Sequence, residues 1–185
     1  MKIELSKPFF VETLCIVGIG LIGGSLARAL KSANAVGKVI AYDANEEALS
    51  KAKELGVADE IYTDLAEAAA LADIIVLATP ITAMAEVMAT IMPVVKPTAV
   101  ITDVGSTKGS VVRDIEARLG ELPGRFVPAH PIAGTEKHGV ENSFDTLYHG
   151  RRTLIIPHIN NNHEAVTIIR DMWKAAGSIT EEMGV

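Results

Sequence analysis

The sequence contains very little cysteine and no cluster of basic residues. Cys15 is the single cysteine among 185 residues and lies within an apolar run, so a disulfide within the chain is excluded and we expect a buried core thiol in a cytoplasmic protein. Lysine and arginine together number 17 against 23 acidic residues, and the net charge is −6. Without a basic run, this balance argues against nucleic acid as the main partner.

Long apolar segments are missing as well. The uncharged stretch 13–27 has 15 residues, four of them glycine, which is too short and too glycine-rich to span a bilayer. The opening "MKIELSKPFF" lacks the apolar segment and cleavage site of a signal peptide. We therefore expect no membrane partner. Hydrophobic residues make up 49% of the chain, enough for the core of one domain over residues 1–185.

Short apolar, β-branched runs alternate along the chain with longer helical segments. The predicted strands are 13–20, 38–43, 72–80, 98–105, 125–130 and 151–157, and the predicted helices are 21–33, 45–56, 81–92, 106–120 and 162–177. Strands that are apolar on both faces and separated by helices indicate a sheet covered on both sides. The predicted fold class is α/β, with a doubly wound, mostly parallel sheet.

A glycine motif follows the first predicted strand. "GIGLIG" places Gly18, Gly20 and Gly23 in the G-x-G-x-x-G spacing at the start of a predicted helix. The first glycine permits a tight turn, the second allows close approach of a pyrophosphate, and the third allows the helix to pack close to the strand. Together with the free N–H groups of Leu21 and Ile22 in the first turn, the motif predicts a Rossmann dinucleotide-binding fold.

Asp43 ends the second predicted strand, 20 residues after Gly23. A carboxylate at this position accepts hydrogen bonds from the ribose hydroxyls of an adenosine. A 2′-phosphate would meet a like charge, and "DANEEA" offers no arginine to counter it. The predicted cofactor is therefore NAD rather than NADP, and we predict no metal site.

Other loops at the carboxyl ends of predicted strands should line the same crevice. Thr79 and Pro80 form the end of the third predicted strand and are expected beside the cofactor. Ser106 follows the fourth strand, in "TDVGSTKGS". Its hydroxyl could orient substrate or nicotinamide, or else Ser106 or Thr107 could serve only as a helix N-cap.

The loop "HPIAGTEKHG" follows the fifth predicted strand and faces the same crevice. His130 lies where a nicotinamide ring is expected, and a neutral imidazole suits removal of a hydroxyl proton as hydride leaves the adjacent carbon. The remaining histidines are interpreted as surface residues; they are His138, His149, His158 and His163.

Four segments together resemble the prephenate/arogenate (cyclohexadienyl) dehydrogenase family, in its N-terminal NAD-binding domain. They are "GIGLIGGSLARAL", "DVGSTKG", "HPIAGTEKHGVENSFDTLYHGRRTLIIP" and "MWKAAGS". The resemblance extends over about residues 13–178 and is most specific in the "HPIAGTEKHG" loop. It implies oxidative decarboxylation of prephenate to 4-hydroxyphenylpyruvate, or of arogenate to tyrosine, in tyrosine biosynthesis.

The resemblance also implies residue roles. His130 matches the catalytic histidine that polarises the ring hydroxyl, and Ser106 matches the serine that orients this hydroxyl and the nicotinamide. Thr135 and Glu136 fall where family members line the substrate pocket. Lys108 or Lys137 could reduce the repulsion of a dianionic substrate, although surface lysines are the simpler interpretation.

One expected part of the family's architecture has no counterpart in these residues. Family members continue into a helical domain that forms the dimer and binds the substrate carboxylates. In the family that domain supplies an arginine and a histidine that bind these carboxylates. Arg151 and Arg152 could replace the arginine, but we interpret them as exposed charges at the start of a strand. We expect an exposed apolar surface where those helices would dock, through which a homo-oligomer could form. The alternatives are an NAD-binding module without turnover and another NAD-linked reductase, such as a β-hydroxyacid dehydrogenase.

Overall fold

The computed structural model describes residues 8–184, so part of the opening segment considered above as a signal peptide lies outside the described residues. Six strands form one parallel sheet: β1 (Val11–Val17), β2 (Val36–Tyr42), β3 (Glu60–Tyr62), β4 (Ile74–Leu77), β5 (Val100–Asp103) and β6 (Phe126–Val127). Their order is β3-β2-β1-β4-β5-β6. Strands β2 and β3 are added on one side of β1 and strands β4 to β6 on the other, so the strand order reverses between β1 and β4. This order confirms the predicted doubly wound, Rossmann-like fold.

Helices cover both faces of this sheet. They are α1 (Leu21–Ser32), α2 (Glu46–Glu54), α3 (Leu65–Leu71), α4 (Ile81–Ile91), α5 (Lys108–Leu119) and α6 (His163–Ala175). Successive side chains of β1 alternate between two apolar clusters: Leu14 and Ile16 pack on the side of α1 and α6, whereas Cys15 and Val17 pack on the side of α4 and α5. Cys15 is fully buried, as predicted, and burial raises the pKa of its thiol to about 12.

A second, three-stranded sheet differs from the prediction. It contains β7 (Ala129–Pro131), β8 (Arg152–Ile155) and β9 (Ile179–Glu182), with β7 antiparallel to β8 and β8 parallel to β9. The predicted fifth strand, 125–130, is therefore two strands, because Pro128 between them has no N–H for a sheet hydrogen bond. The predicted sixth strand pairs with β7 and not with the main sheet.

A strand of the main sheet and a helix that packs on it were not predicted from the sequence. Strand β3 has only three residues at the sheet edge, and none of them is buried. Helix α3 is seven residues long and begins after Asp64, whose side chain accepts a hydrogen bond from the Glu67 N–H. Both are too short to produce a clear periodic pattern.

The segment after "HPIAGTEKHG" packs against α1 and holds that helix in place. The Tyr148 Oη donates to the Ile22 carbonyl at 2.6 Å, and the Arg28 Nε donates to the Ser143 Oγ at 2.9 Å. A Cβ atom on Gly24 would lie 3.1 Å from the Ser143 Cβ, so glycine allows this close packing. Within residues 8–184, no helix has the length and apolar character needed to cross a membrane.

Candidate active site

The carboxyl ends of four parallel strands lie in one row. Val17 of β1 is in register with Tyr42 of β2 and with Leu77 of β4, and Leu77 is in register with Asp103 of β5. Each of these residues is the last of its strand. The loops that contain the glycine motif, Asp43, Thr79 and Ser106 therefore leave the sheet side by side, as the sequence analysis expected.

The glycine loop has the geometry that its spacing requires. Gly18 has φ of +96°, and a Cβ atom there would lie 2.6 Å from the Ala78 carbonyl oxygen. A Cβ atom on Gly23 would lie 2.5 Å from the Gly18 carbonyl oxygen and 2.6 Å from the Ile16 Cγ2. Backbone atoms and a core side chain therefore occupy the space around both positions, so a larger residue would push α1 away from β1 and β4.

The start of α1 is open to an anion. Gly20 is its N-cap and supplies no side-chain hydrogen bond, and the first turn contains no acidic residue. The first N–H groups of a helix have no partner within it, so those of Leu21, Ile22 and Gly23 form a positively polarised end. By contrast, side-chain oxygens cap three other helices; these are Asn45 for α2, Asp64 for α3 and Asn162 for α6.

A cleft of about 620 Å³ opens beside this helix end. Its walls include the predicted residues Gly18, Gly20, Asp43, Thr79 and Pro80. The Thr79 Oγ1 is buried and has no hydrogen-bond partner among the described residues, so a bound ligand could supply one. Leu21, Ile22 and Gly23 do not line the cleft with side chains, which leaves their backbone N–H groups as their possible contribution.

Asp43 connects the glycine loop to the start of α2. Its Oδ2 accepts the Ile19 N–H at 2.9 Å, and its Oδ1 accepts the Asn45 N–H at 2.9 Å. The carboxylate is half-buried at the cleft wall. Because a carboxylate oxygen can accept two hydrogen bonds, each oxygen retains one acceptor position.

Ser106 lies exposed in the loop between β5 and α5. Helix α5 begins at Lys108, and Thr107 at its N-cap makes no side-chain capping bond. The predicted helix start at 106 is therefore two residues early, and the hydroxyl of Thr107 does not serve as the cap considered above.

Beside this loop lies a buried ion pair that the sequence analysis missed. Asp103 is 0% exposed and Lys108 is 9% exposed, and their side chains contact each other directly. Burial raises the pKa of Asp103 and lowers the pKa of Lys108, against the opposing effect of the ion pair. The interpretation of Lys108 as a surface lysine was wrong. The signal in the sequence was an acid that ends an apolar strand, with a lysine five residues later.

His130 lies in the middle of β7, between the buried Ala129 and Pro131, and its own side chain is half-buried. The pKa of His130 is lowered, first by burial and then by the charge of Lys108, while Asp103 acts in the opposite direction. The imidazole is thus neutral at neutral pH, which is the form that can accept a proton.

The predicted pocket residues Thr135 and Glu136 lie in the exposed loop after β7. The Thr135 Oγ1 accepts the Lys137 N–H at 3.1 Å, and Lys137 is exposed. Thr135 lines a second cavity of about 450 Å³, whose described walls include Arg151 but not Glu136, Ser106 or His130. The residues that line the larger cleft likewise do not include Ser106, His130, Thr135 or Glu136, so the structure does not place these four predicted residues in its walls.

Most of the arginines and histidines that were predicted to be surface residues are exposed. Arg152 begins β8, is exposed, and lies 3.4 Å from Glu181. The exposed histidines are His138, His149 and His163. The surface interpretation of His158 was wrong, because its half-buried ring places Nε2 2.9 Å from the Phe126 carbonyl oxygen.

Comparison with known proteins identifies the relatives of this chain. Residues 26–181 match the family described as "Prephenate dehydrogenase, nucleotide-binding domain". The chain is 34% identical over 165 residues to a cyclohexadienyl dehydrogenase of Zymomonas mobilis, covering 89% of this chain and 55% of the relative. It is 32% identical over 177 residues to a prephenate dehydrogenase of Bacillus subtilis, covering 93% of this chain and 46% of the relative.

Solved structures give the same result. A prephenate dehydrogenase from A. aeolicus, crystallised with hydroxyphenyl propionate and NAD+, has a TM-score of 0.86 and 36% identity, over 98% of this chain and 61% of its own. An arogenate dehydrogenase from Synechocystis has a TM-score of 0.84 and 27% identity, over 93% of this chain and 59% of its own. The chain spans about half the length of the curated relatives it matches. It belongs to the family of prephenate dehydrogenase nucleotide-binding domains.

Proposed function

We propose that this chain binds NAD and forms the catalytic nucleotide-binding part of a prephenate or arogenate dehydrogenase. The observation that carries the proposal is the 620 Å³ cleft, where the glycine loop, Asp43 and the Thr79 hydroxyl, which has no partner within residues 8–184, meet at the uncapped end of α1. Membership of the family and the NAD+ in the related A. aeolicus structure support it.

In this proposal the pyrophosphate binds at the N–H groups of Leu21, Ile22 and Gly23. Asp43 accepts hydrogen bonds from the adenosine ribose through the two positions left open on its carboxylate. A 2′-phosphate would place a like charge beside Asp43, which favours NAD over NADP. Thr79 and Pro80 form part of the wall of the same cleft.

His130 and Ser106 act on the substrate. NAD, when bound, accepts the hydride from the ring carbon that carries the hydroxyl. The neutral His130 imidazole accepts the proton of this hydroxyl, so the oxygen can form a carbonyl. Loss of the ring carboxylate as CO2 then returns an electron pair to the ring and makes it aromatic, and the phenolic oxygen regains a proton. Ser106 orients the hydroxyl, while Thr135 and Glu136 are part of the wall of the substrate pocket.

Calorimetric titration of the chain with NAD and with NADP tests the cofactor part of the proposal. We expect saturable binding of NAD and weaker binding of NADP, because Asp43 repels the 2′-phosphate. Asp43→Asn tests the role of the carboxylate, and Glu141→Gln is its charge-matched control, because Glu141 is exposed and lies outside the cleft walls. No NAD binding, or tighter binding of NADP, would contradict the proposal.

The catalytic part requires an assay with substrate. We propose that these 185 residues on their own turn prephenate over slowly or not at all, and that a helical domain of a relative, fused or added, restores turnover. The measurement is NADH formation with prephenate and with arogenate. NAD binding without turnover in every combination would favour the alternative of a binding module, and turnover of a β-hydroxyacid would favour the alternative reductase.

Two further expectations belong to the same proposal. A cytoplasmic location is expected from the single, fully buried cysteine. A homo-oligomer is expected through exposed apolar side chains such as Ile132 and Phe144, which are 50% and 39% exposed at the 450 Å³ cavity. Analytical ultracentrifugation tests self-association, and a monomer at all concentrations would contradict it.

A further inference from the structure

The buried carboxylate of Asp103 holds two separate segments of the backbone. Its Oδ2 accepts the Gly105 N–H at 2.9 Å and contacts the Lys108 Nζ, while its Oδ1 accepts the Ala129 N–H at 3.2 Å. Gly105 precedes Ser106 in the loop after β5. Ala129 precedes His130 on β7. One side chain therefore contacts the direct neighbours of both proposed substrate-contacting residues.

Lys108 completes the attachment from the other side. Its Nζ donates to the Ala129 carbonyl at 2.7 Å, so the N–H and the carbonyl of Ala129 are both bound by the ion pair. This matters because β7 belongs to the second sheet and has no strand pairing with β5. The ladder between β5 and β6 ends at Val127, and beyond it the hydrogen bonds from the ion pair attach the two segments to each other.

Stability alone is a weak reason for such an arrangement. Removing two charges from water is costly, and well-packed apolar residues in place of a buried ion pair often leave stability unchanged or improved. What an apolar pair cannot supply is directional bonding to the Gly105 N–H and to both polar groups of Ala129. The specific contribution of this ion pair is therefore to position the loop after β5 relative to strand β7.

We propose that Asp103, through its ion pair with Lys108, is a positioning residue that fixes the His130 strand relative to the Ser106 loop. The roles of these two residues in catalysis rest on the proposed function, whereas the attachment itself does not. A displacement of about 1 Å between reacting groups can reduce a rate about 100-fold. The fixed spacing therefore matters for transfer of the substrate proton to His130.

The same two charges also act on the imidazole. Lys108 lowers the pKa of His130 and Asp103 raises it. Loss of either partner should thus shift the titration of His130 in opposite directions, which an ordinary core residue would not do.

The test uses Asp103→Asn, Lys108→Met and the double variant, which leaves no unpaired buried charge. The matched control is Asp73→Asn, because Asp73 likewise binds a backbone N–H, that of Thr13 at 3.0 Å, and a lysine, Lys96 at 2.7 Å. Asp73 directly precedes the central strand β4 and so lies at the amino ends of the strands, away from the candidate site at their carboxyl ends. Circular dichroism establishes whether each variant folds. If Asp103→Asn does not fold, the double variant tests the positioning role.

The first readout is nuclear magnetic resonance of the chain itself. We expect the pKa of His130 to fall in Asp103→Asn, to rise in Lys108→Met and to lie between them in the double variant. Amide hydrogen exchange should accelerate at Gly105 and Ala129 together in all three variants, and in none of these respects should Asp73→Asn differ from the parent. An unchanged His130 titration and unchanged exchange in folded variants would overturn the proposal.

The second readout is turnover of prephenate with the helical domain supplied. In the double variant we expect kcat to fall about 100-fold with little change in the KM for NAD, and a parent-like kcat would overturn the positioning role. If the parent itself does not turn over prephenate, the proposed function fails. The resonance measurements then still decide whether Asp103 holds the two segments.

Discussion

The two halves of the candidate site are held in place by different physical means. The glycine loop after β1 depends on close packing of backbone, where Gly18 and Gly23 leave no room for a Cβ atom. The segments with Ser106 and His130 are held by a buried ion pair, Asp103 with Lys108, which acts beyond the end of the β5–β6 ladder at Val127. Packing of this kind produces a recognisable glycine motif in the sequence, whereas the ion pair appears in the sequence only as two charged residues.

The difference has a functional consequence. The glycine loop, which we call the packed half, presents backbone N–H groups, which suit a phosphate and do not titrate. The segments with Ser106 and His130, which we call the charged half, include the ion pair whose charges change the pKa of His130. Changes in the first half should therefore alter cofactor binding, and changes in the second should alter turnover and its dependence on pH.

The largest effect is expected from His130→Asn. Loss of a positioned general base costs about 10² to 10⁴ in rate, while the affinity for NAD should stay close to that of the parent. The measurement is NADH formation with the helical domain supplied, together with NAD calorimetry. His138→Asn is the matched control, because His138 is exposed in the loop that follows β7. Full turnover by His130→Asn would show that the charged half does not carry the chemistry.

Asp43→Asn should weaken NAD binding without changing the protonation of His130. A hydrogen bond to a charged group contributes about 1.5–3 kcal/mol, which is roughly 10- to 100-fold in affinity. The preference for NAD over NADP should also shrink, because the repulsive charge is gone. Calorimetry with both cofactors measures this, and an unchanged preference would remove Asp43 from the adenosine site.

The pH dependence of turnover should report the charged half alone. Only the neutral imidazole accepts the substrate proton, so kcat/KM should fall about tenfold per pH unit on the acid side. Because the pKa of His130 is lowered, this fall should begin below pH ~6.5, the ordinary pKa of histidine. A pH profile of NADH formation tests the direction, and a midpoint above the ordinary value would contradict it.

The smallest effect is expected from Gly23→Ala, as a loss of stability. Its Cβ would overlap the Gly18 carbonyl and Ile16, and overpacking of this kind costs about 1–3 kcal/mol. Gly109→Ala is the control, since nothing lies within 4 Å of a Cβ there and alanine favours a helix. Thermal unfolding compares the two variants. Equal stability would mean that the glycine loop is not held by packing.

The sequence allowed prediction of the parts of the fold that have strong local patterns. The buried strands β1, β4 and β5 are largely apolar, the longer helices have apolar residues at helical spacing, and the glycine spacing requires one turn geometry. The second sheet was missed because Pro128 divides one apparent strand into two, and strand pairing over long sequence distances leaves no local pattern. The short β3 and α3 were missed for lack of length.

The candidate site was predictable to a similar degree. Gly18, Gly20, Asp43, Thr79 and Pro80 share one cleft in the structure. The Asp103–Lys108 pair was missed, because an acid at the end of an apolar strand and a lysine five residues later do not by themselves indicate burial, which depends on tertiary contacts. His158 was assigned to the surface for the same reason, although its ring reaches the Phe126 carbonyl.

The most direct measurement is an NAD titration of the isotope-labelled chain, followed by nuclear magnetic resonance. If the two differently held halves form one cofactor site, saturating NAD should shift the amides of residues 18–23, Asp43 and Thr79, and also that of Ser106 and the imidazole of His130. Shifts confined to the glycine loop and Asp43 would contradict the shared site, and no saturable shift in residues 18–23 would contradict NAD binding itself.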